Sequence, residues 1–400
     1  MANADVDTSV DGAAGVPVAA PPQEPPPHGT PTSAPKGQQR LQFLDAVRGI
    51  AAFTVAIQHC VETVSPGYLK WSHEVFRPGE WGVVLFFVSS GFIIPVSLDR
   101  YRSVGRFWIG RFFRLYPLYW AVVAGAWILF AFDRFGLPDD YRLHWVRASA
   151  ANLTMAQEFI GQPHVLGQAW TLSYELVFYG LVSLLFLVRL DKYPGWILTA
   201  GLASAVAAGT WIPMRMVTAG SSVDRVAVLL ACAVAAAGAA VLARRSLGAA
   251  VAAAGFAVAI VLLVANRNHP AWFSALLLSS MFVGWVLHRW TTGSATTMQA
   301  VAAVGGASVT VIVAHALYFQ VNNVPGTDIF TNATAETLTF LGAYAVFVAF
   351  LALRRHGFPR PLRWLGEVSY SVYLVHGVVL VAVPKVGSDA VAVLVWLAAT

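Results

Sequence analysis

Leu41-Gln-Phe-Leu-Asp-Ala-Val-Arg-Gly-Ile-Ala-Ala-Phe-Thr-Val-Ala-Ile-Gln-His-Cys60 is the stretch on which the reading of this chain turns. It is the first apolar run, and it is bracketed by Asp45 and Arg48 at one end and His59 at the other. Arg48 and His59 are eleven residues apart. At about 100° per residue that is three turns plus roughly 20°, so a helix presents both side chains on one face. At about 1.5 Å per residue they lie roughly 16 Å apart along the axis. One face thus carries a permanent cation near its start and a titratable imidazole about half a bilayer deeper. Ionisable groups inside a membrane span are costly and mark functional sites. The same spacing also fits an interfacial Arg48 that snorkels to water and a His59 that hydrogen-bonds a neighbouring helix.

Working outward, similar apolar runs recur to the end of the chain. Of 400 residues, 57% are hydrophobic and only 12% charged, with mean hydropathy +0.63; soluble domains carry about 25% charged residues. The expected fold class is all-α, a polytopic transmembrane helical bundle of about 10–12 spans. By apolar length the spans fall near 44–63, 81–98, 115–132, 168–188, 196–212, 224–243, 247–265, 271–288, 298–318, 334–353 and 366–384. A last run begins at Asp389 and stops at Thr400, which reads as a blunt or cut-short final span. Residues 1–40 carry Pro17, Pro21, Pro22, Pro25, Pro26, Pro27, Pro31 and Pro35, and are expected to be a disordered cytoplasmic tail before a membrane domain over 41–400. They contain no apolar stretch that reads as a signal peptide.

The loops 99–114, 189–192, 243–246, 288–290 and 354–363 are basic and fall on one side of the proposed topology. They place the N-terminus in the cytoplasm of a multi-pass plasma-membrane protein. The long loop 133–165 falls on the other side, with room for a short interfacial helix, and its Arg134, Arg142 and Arg147 weaken the contrast. Net charge +6 is explained by loops facing anionic lipid, the bilayer being the expected partner. The basic residues are dispersed over separate loops, which argues against nucleic acid. Cys60 and Cys232, the only cysteines, sit in separate apolar runs, so neither a disulfide framework nor a cysteine metal site is expected.

Four further stretches carry chemistry. Ser89-Ser90-Gly91 in the second span is either a packing notch or, through Ser90, a substrate contact. Arg106, Arg111 and Arg114 lie at helical spacing before Tyr116-Pro117. They suit phosphate binding by forked guanidinium groups, and equally suit topology and lipid headgroups. Trp170-Thr-Leu-Ser-Tyr-Glu175 sets a carboxyl about a turn and a half into an apolar helix, where it needs Arg48, His59 or Arg111 as partner. Ser369-Tyr-Ser-Val-Tyr-Leu-Val-His376 brings Tyr370, Tyr373 and His376 round one side of the eleventh span. His376 and His315 both also fit satisfied histidines of a bundle interior.

Taken together and in this order, these segments resemble the acyltransferase 3 family of integral-membrane acyltransferases over roughly residues 41–385. The shared features are Arg48 with His59, Phe86-Phe87 with Ser90-Gly91-Phe92, the arginines running into Tyr116-Pro117, Trp170 to Glu175, and Ser369 to His376. Val84 and Leu176 stand where the family often has acids. The resemblance implies transfer of an acyl group, commonly acetyl, from acyl-CoA to a hydroxyl of a sugar or glycosylated small molecule, such as a cell-surface polysaccharide or macrolide. It implies no permanently bound cofactor and no metal; acyl-CoA is the donor substrate and a hydroxylated sugar or glycoside the acceptor. In that scheme His59 is the general base and Glu175 orients it. Tyr370, Tyr373 or Ser90 donates to the oxyanion, Arg48, Arg106, Arg111 and Arg114 hold the CoA phosphates, and Trp170 and His376 line or pack the site. Rival readings are a glycoconjugate transporter or flippase, whose paired broken helices are not seen, and an acyl-donor loader for a separate transferase.

Overall fold

The structure is a computed structural model describing residues 36–137, 139–207, 209–216, 246–322, 329–385 and 387–400, with scattered positions between 229 and 239. Within these residues the regular elements are helical, with no strand. In a lipid-enclosed chain the helix is the open-ended way to satisfy every backbone N–H and C=O internally. Among the described residues, seven helices are long and apolar enough to cross a membrane. They lie in α1 (Lys36–Val64), α3 (Pro78–Tyr101), α4 (Val104–Ala131), α7 (Trp170–Leu187), α10 (Ala271–Thr291), α11 (Thr297–Asn322) and α12 (Ile329–Ala352). An eighth span is broken: α13 (Arg360–Glu367) and α14 (Ser369–Ala382) meet at 71°. Shorter apolar helices are α8 (Pro194–Ala207), part of α9 (Ser246–Ala265) and α15 (Asp389–Ala399). Connecting segments form α2 (Pro66–Glu74), α5 (Asp139–Leu143) and α6 (Trp145–Leu153). The expected tail lies outside the described residues up to 35, and Lys36–Arg40 already belong to α1. Most of the expected span 224–243 is also outside them.

Two boundaries differ from expectation. The arginine-rich segment before residue 115 is not a loop. The chain turns at Arg102, which adopts a left-handed conformation (φ 48°), and α4 starts directly after Ser103, whose Oγ accepts from the Arg106 N–H at 3.4 Å. Arginine is a good helix former, and a serine cap followed by aromatic residues outweighs the local charge. The expected continuous eleventh span is instead interrupted at Val368, between α13 and α14.

Close backbone approaches set the core. A Cβ on Gly91 of α3 would lie 1.7 Å from the Met281 carbonyl oxygen of α10, and one on Gly284 would lie 2.0 Å from the Val88 carbonyl oxygen. Gly82 brings α3 onto α1 at Ala51, and Gly366 brings the end of α13 onto the Asp45 carbonyl of α1. Small residues are what let membrane helices come this near. At one end of the bundle the Phe43, Phe92 and Phe347 rings interlock at 5.5–6.1 Å. At the other, Arg77 Nη1 lies 2.8 Å from the buried Glu336 carboxylate.

The segment joining α4 to α7 is pinned over that second end. Asn152 is fully buried, its amide donating to Ala148 and Pro163 carbonyls and its Oδ1 accepting from the Val165 N–H. Glu158, 1% exposed, accepts from His269 Nδ1 at 2.6 Å and meets His164 Nε2 at 3.3 Å, tying this segment to the turn before α10. Burial alone raises the Glu158 carboxyl, but hydrogen bonds from His164 and His269 prevail and hold it down to about 2.

Two outcomes follow from this packing. Gly91→Leu destabilises the bundle by at least about 1–3 kcal/mol by forcing α3 off α10. Gly305→Ala, where an added Cβ meets nothing within 4 Å, does not lower the melting temperature, because alanine favours the helix; thermal unfolding in detergent reads both. The Glu158 carboxylate contributes stability above its unfolded value near 4.5, and that stability is lost as pH falls toward 2. At about 1.4 kcal/mol per unit the loss is on the order of 3 kcal/mol. The Trp170 ring packs tilted against His269, centroids 4.6 Å apart, so its fluorescence reports the release on acid titration, and Glu158→Gln removes that pH dependence.

Candidate active site

A narrow cavity opens among four helices. Arg48 enters it from α1, and Val83, Phe86, Phe87 and Ser90 from α3. Thr171, Leu172 and Glu175 reach it from α7, and Tyr370 and Tyr373 from α14. Each helix arrives in register because of the packing just described. Gly91 and the buried Ser89, whose hydroxyl donates to the Leu85 carbonyl, take the helix-packing side of the Ser-Ser-Gly notch, so that Ser90 is left on the cavity side. The break at Val368 starts α14 beside the cavity, with Tyr370 in its first turn.

Glu175 is met by donors. The Tyr179 hydroxyl, one turn on, donates to its Oε1 at 2.5 Å. Arg48 lies within electrostatic reach of Glu175, Asp45 and Arg114. Arg111 is not a free surface guanidinium. It is 7% exposed, donates from Nη2 to Ser97 Oγ at 2.5 Å, and lies 5.3 Å and 5.4 Å from the Phe107 and Tyr179 ring centroids. Cation–π contact with two rings and a hydroxyl partner commits it to joining α3, α4 and α7. Arg106 and Arg114 are exposed on α4, and Arg114 shares the electrostatic surroundings of Arg48, Asp45 and Tyr370.

The two tyrosines have their protons engaged. Tyr370 donates to the Leu115 carbonyl at 2.6 Å. Tyr373 donates to the Gln168 carbonyl at 2.7 Å and pairs with Thr171 Oγ1 at 2.6 Å. A phenol has a single proton to give, so in this arrangement both rings orient the cavity wall, and the Ser90 hydroxyl is the donor type left facing the cavity.

His59 does not line this cavity and does not meet Glu175. Its Nδ1 lies 3.5 Å from Oε2 of Glu62, one turn further along α1, and its ring stacks on that of His376 at 5.3 Å and 14°. His376 is buried, with Nδ1 3.1 Å from the Val372 carbonyl, and its ring is 6.0 Å from Tyr373. A ladder of rings, Tyr373 to His376 to His59, therefore leads from the cavity wall to an imidazole whose side chain is 43% exposed. The pairing of His59 with Glu175 expected from sequence is replaced by one with Glu62. The spacing of three residues on one helix is a signal the sequence does contain. Trp170 stands apart from the cavity, against His269, Tyr174 and Phe273.

The site thus offers a guanidinium and a carboxylate at one depth, a hydroxyl at the same cavity, and a carboxylate-backed imidazole further along the same helix. Such a set can bind an anionic group and move a proton at a hydroxyl. Comparison with known proteins gives the family. A family model described as an acyltransferase domain, Acyl_transf_3, matches residues 41–400. The protein named Acyltransferase MdmB from Streptomyces mycarofaciens is 32% identical over 138 residues, covering 32% of this chain and 34% of that relative. The aligned stretch therefore spans about a third of that relative's length. No solved structure matches. With the family match running from residue 41 to the last residue, this multi-pass membrane chain belongs to the Acyl_transf_3 acyltransferase family.

Proposed function

We propose that the chain is a membrane O-acyltransferase that moves an acyl group, acetyl foremost, from acyl-CoA to a hydroxyl of a carbohydrate or glycosylated natural product. The observation that carries this reading is His59, an exposed imidazole backed at Nδ1 by Glu62 and stacked on His376, on the same helix as the cavity's Arg48. The carboxylate favours the tautomer with hydrogen on Nδ1 and leaves Nε2 bare as the base. Nε2 takes the proton of the acceptor hydroxyl as its oxygen attacks the thioester carbonyl. Ser90 lines the cavity with Arg48, at the other end of that helix from His59, and so suits the arm of the donor rather than the oxyanion. Collapse of the tetrahedral intermediate breaks the carbon–sulfur bond, and the departing CoA sulfur receives the proton. Arg48 and Arg114, with the exposed Arg106, suit the CoA phosphates at the cavity mouth. Arg48 and His59 are separated by about 16 Å of helical rise, a span suited to the pantetheine arm.

The basic ends of α3, α4, α10 and α12 support a cytoplasmic N-terminus and a cytoplasmic donor side, with the plasma membrane as the location. The acceptor is then a hydroxyl brought to the His59 end of α1. Tyr370, Tyr373 and His376 hold the wall between the two ends, and Trp170 supports that wall through α7.

Release of CoA and transfer of radiolabelled acetyl by the purified protein in nanodiscs test this reading. His59→Ala lowers transfer by about 10²–10⁴-fold while the protein stays folded; a wild-type rate in that variant refutes the scheme. The arginines separate into two classes. Arg114→Gln raises the KM for acyl-CoA more than it lowers kcat, the mark of lost ground-state binding. Arg111→Gln instead lowers the melting temperature, because the Tyr179 and Ser97 contacts are lost.

A further inference from the structure

Gln58 is the side chain at which α1, α2 and α3 meet. Its Oε1 accepts from the Tyr68 hydroxyl of α2 at 3.1 Å and from the Gly79 N–H at 3.2 Å. Gly79 opens α3, where backbone N–H groups have no partner inside the helix. Arg77, the residue at the cap position, supplies no side-chain bond to the helix start, so Gln58 caps α3 from another helix. Gly79 also leaves the room, since a Cβ there would stand 3.2 Å from Gln58 Cγ.

Two donors on Oε1 settle which way the amide faces. Nε2 must point away from them, and it donates to Oε1 of Glu62. The second oxygen of Glu62 then faces His59 Nδ1 at 3.5 Å. A carboxylate only accepts, so the nitrogen beside it bears the hydrogen. The start of α3, the Tyr68 hydroxyl, the Gln58 amide and the Glu62 carboxylate form one chain ending on the imidazole.

We propose that Gln58 is a positioning residue that fixes Glu62 and thereby the tautomer of His59; its consequence for rate rests on the reading of His59 as the base. The charged and titratable groups around this chain are Tyr68 and His73 from α2, Glu62 and His59 on α1, and His376 from α14.

The test is nitrogen-15 NMR of the imidazoles in the full chain in nanodiscs, with His59→Gln assigning the signal, alongside acetyl-CoA kinetics. Wild type shows His59 hydrogen-bearing at Nδ1. Gln58→Met, of similar length but without a donor, mixes the tautomers and lowers kcat about tenfold, with KM for acetyl-CoA held within about twofold. Gln58→Glu, nearly isosteric with Gln58 but without a donor for Glu62 at neutral pH, mixes the tautomers and lowers kcat at constant KM, a loss that packing alone does not produce. Should Gln58→Met fail to fold, Tyr68→Phe gives a smaller tautomer shift in the same direction. A His59 tautomer unchanged in Gln58→Glu and in Tyr68→Phe overturns the proposal. A tautomer that shifts as described while acyl transfer does not follow it upholds the positioning and overturns the role of His59 as base.

Discussion

Glu175 sits a turn and a half into α7, and a carboxyl at that depth has to be met by donors from its surroundings. Tyr179 donates to it from the same helix, Arg48 approaches from α1, and Arg111 presses on the Tyr179 ring from α4 while binding Ser97 of α3. Four helices thus meet round one cluster, in which Arg111 and Tyr179 are buried and Arg48 and Glu175 half-buried. The cavity exists where it does because these helices cannot slide without exposing a charge to lipid.

The glycine contacts and the polar cluster act together. Gly82, Gly91, Gly284 and Gly366 allow α1, α3, α10 and α13 to approach at backbone distance, and the charged and hydroxyl side chains decide which faces turn inward. The result is a site with two unlike ends. One end gathers the guanidinium groups of Arg48 and Arg114, and the other presents the stacked imidazoles of His59 and His376. In the proposed scheme anion binding and proton transfer are thereby separated along α1.

Much of this was legible in the chain. Apolar run length found most spans, because in lipid the helix leaves little choice. Helical spacing and the short motifs gathered Arg48, Ser90, Glu175, Tyr370 and Tyr373, which do line one cavity. The carboxylate beside His59 was misassigned because an acid deep in an apolar helix draws more notice than Glu62 near a helix end. At the start of α4 a dense run of arginines reads as a loop, while the competing signal, the Ser103 cap, is what the structure follows. The break at Val368 has no proline to announce it; only Gly366, forced against the Asp45 carbonyl, hints at a tight crossing there. The union of Glu158 with His164 and His269 spans more than 100 residues and leaves no local pattern to read.

The broken eighth span has one further bearing on how molecules reach the site. At 14 residues, α14 is about 21 Å long, against roughly 30 Å of hydrocarbon in a typical bilayer. α13 lies at 71° to it and so adds little depth. A bilayer accommodates a span this short by thinning beside it, and a water-soluble molecule with a flexible tether would then arrive nearer Tyr370 than the length of the neighbouring helices suggests.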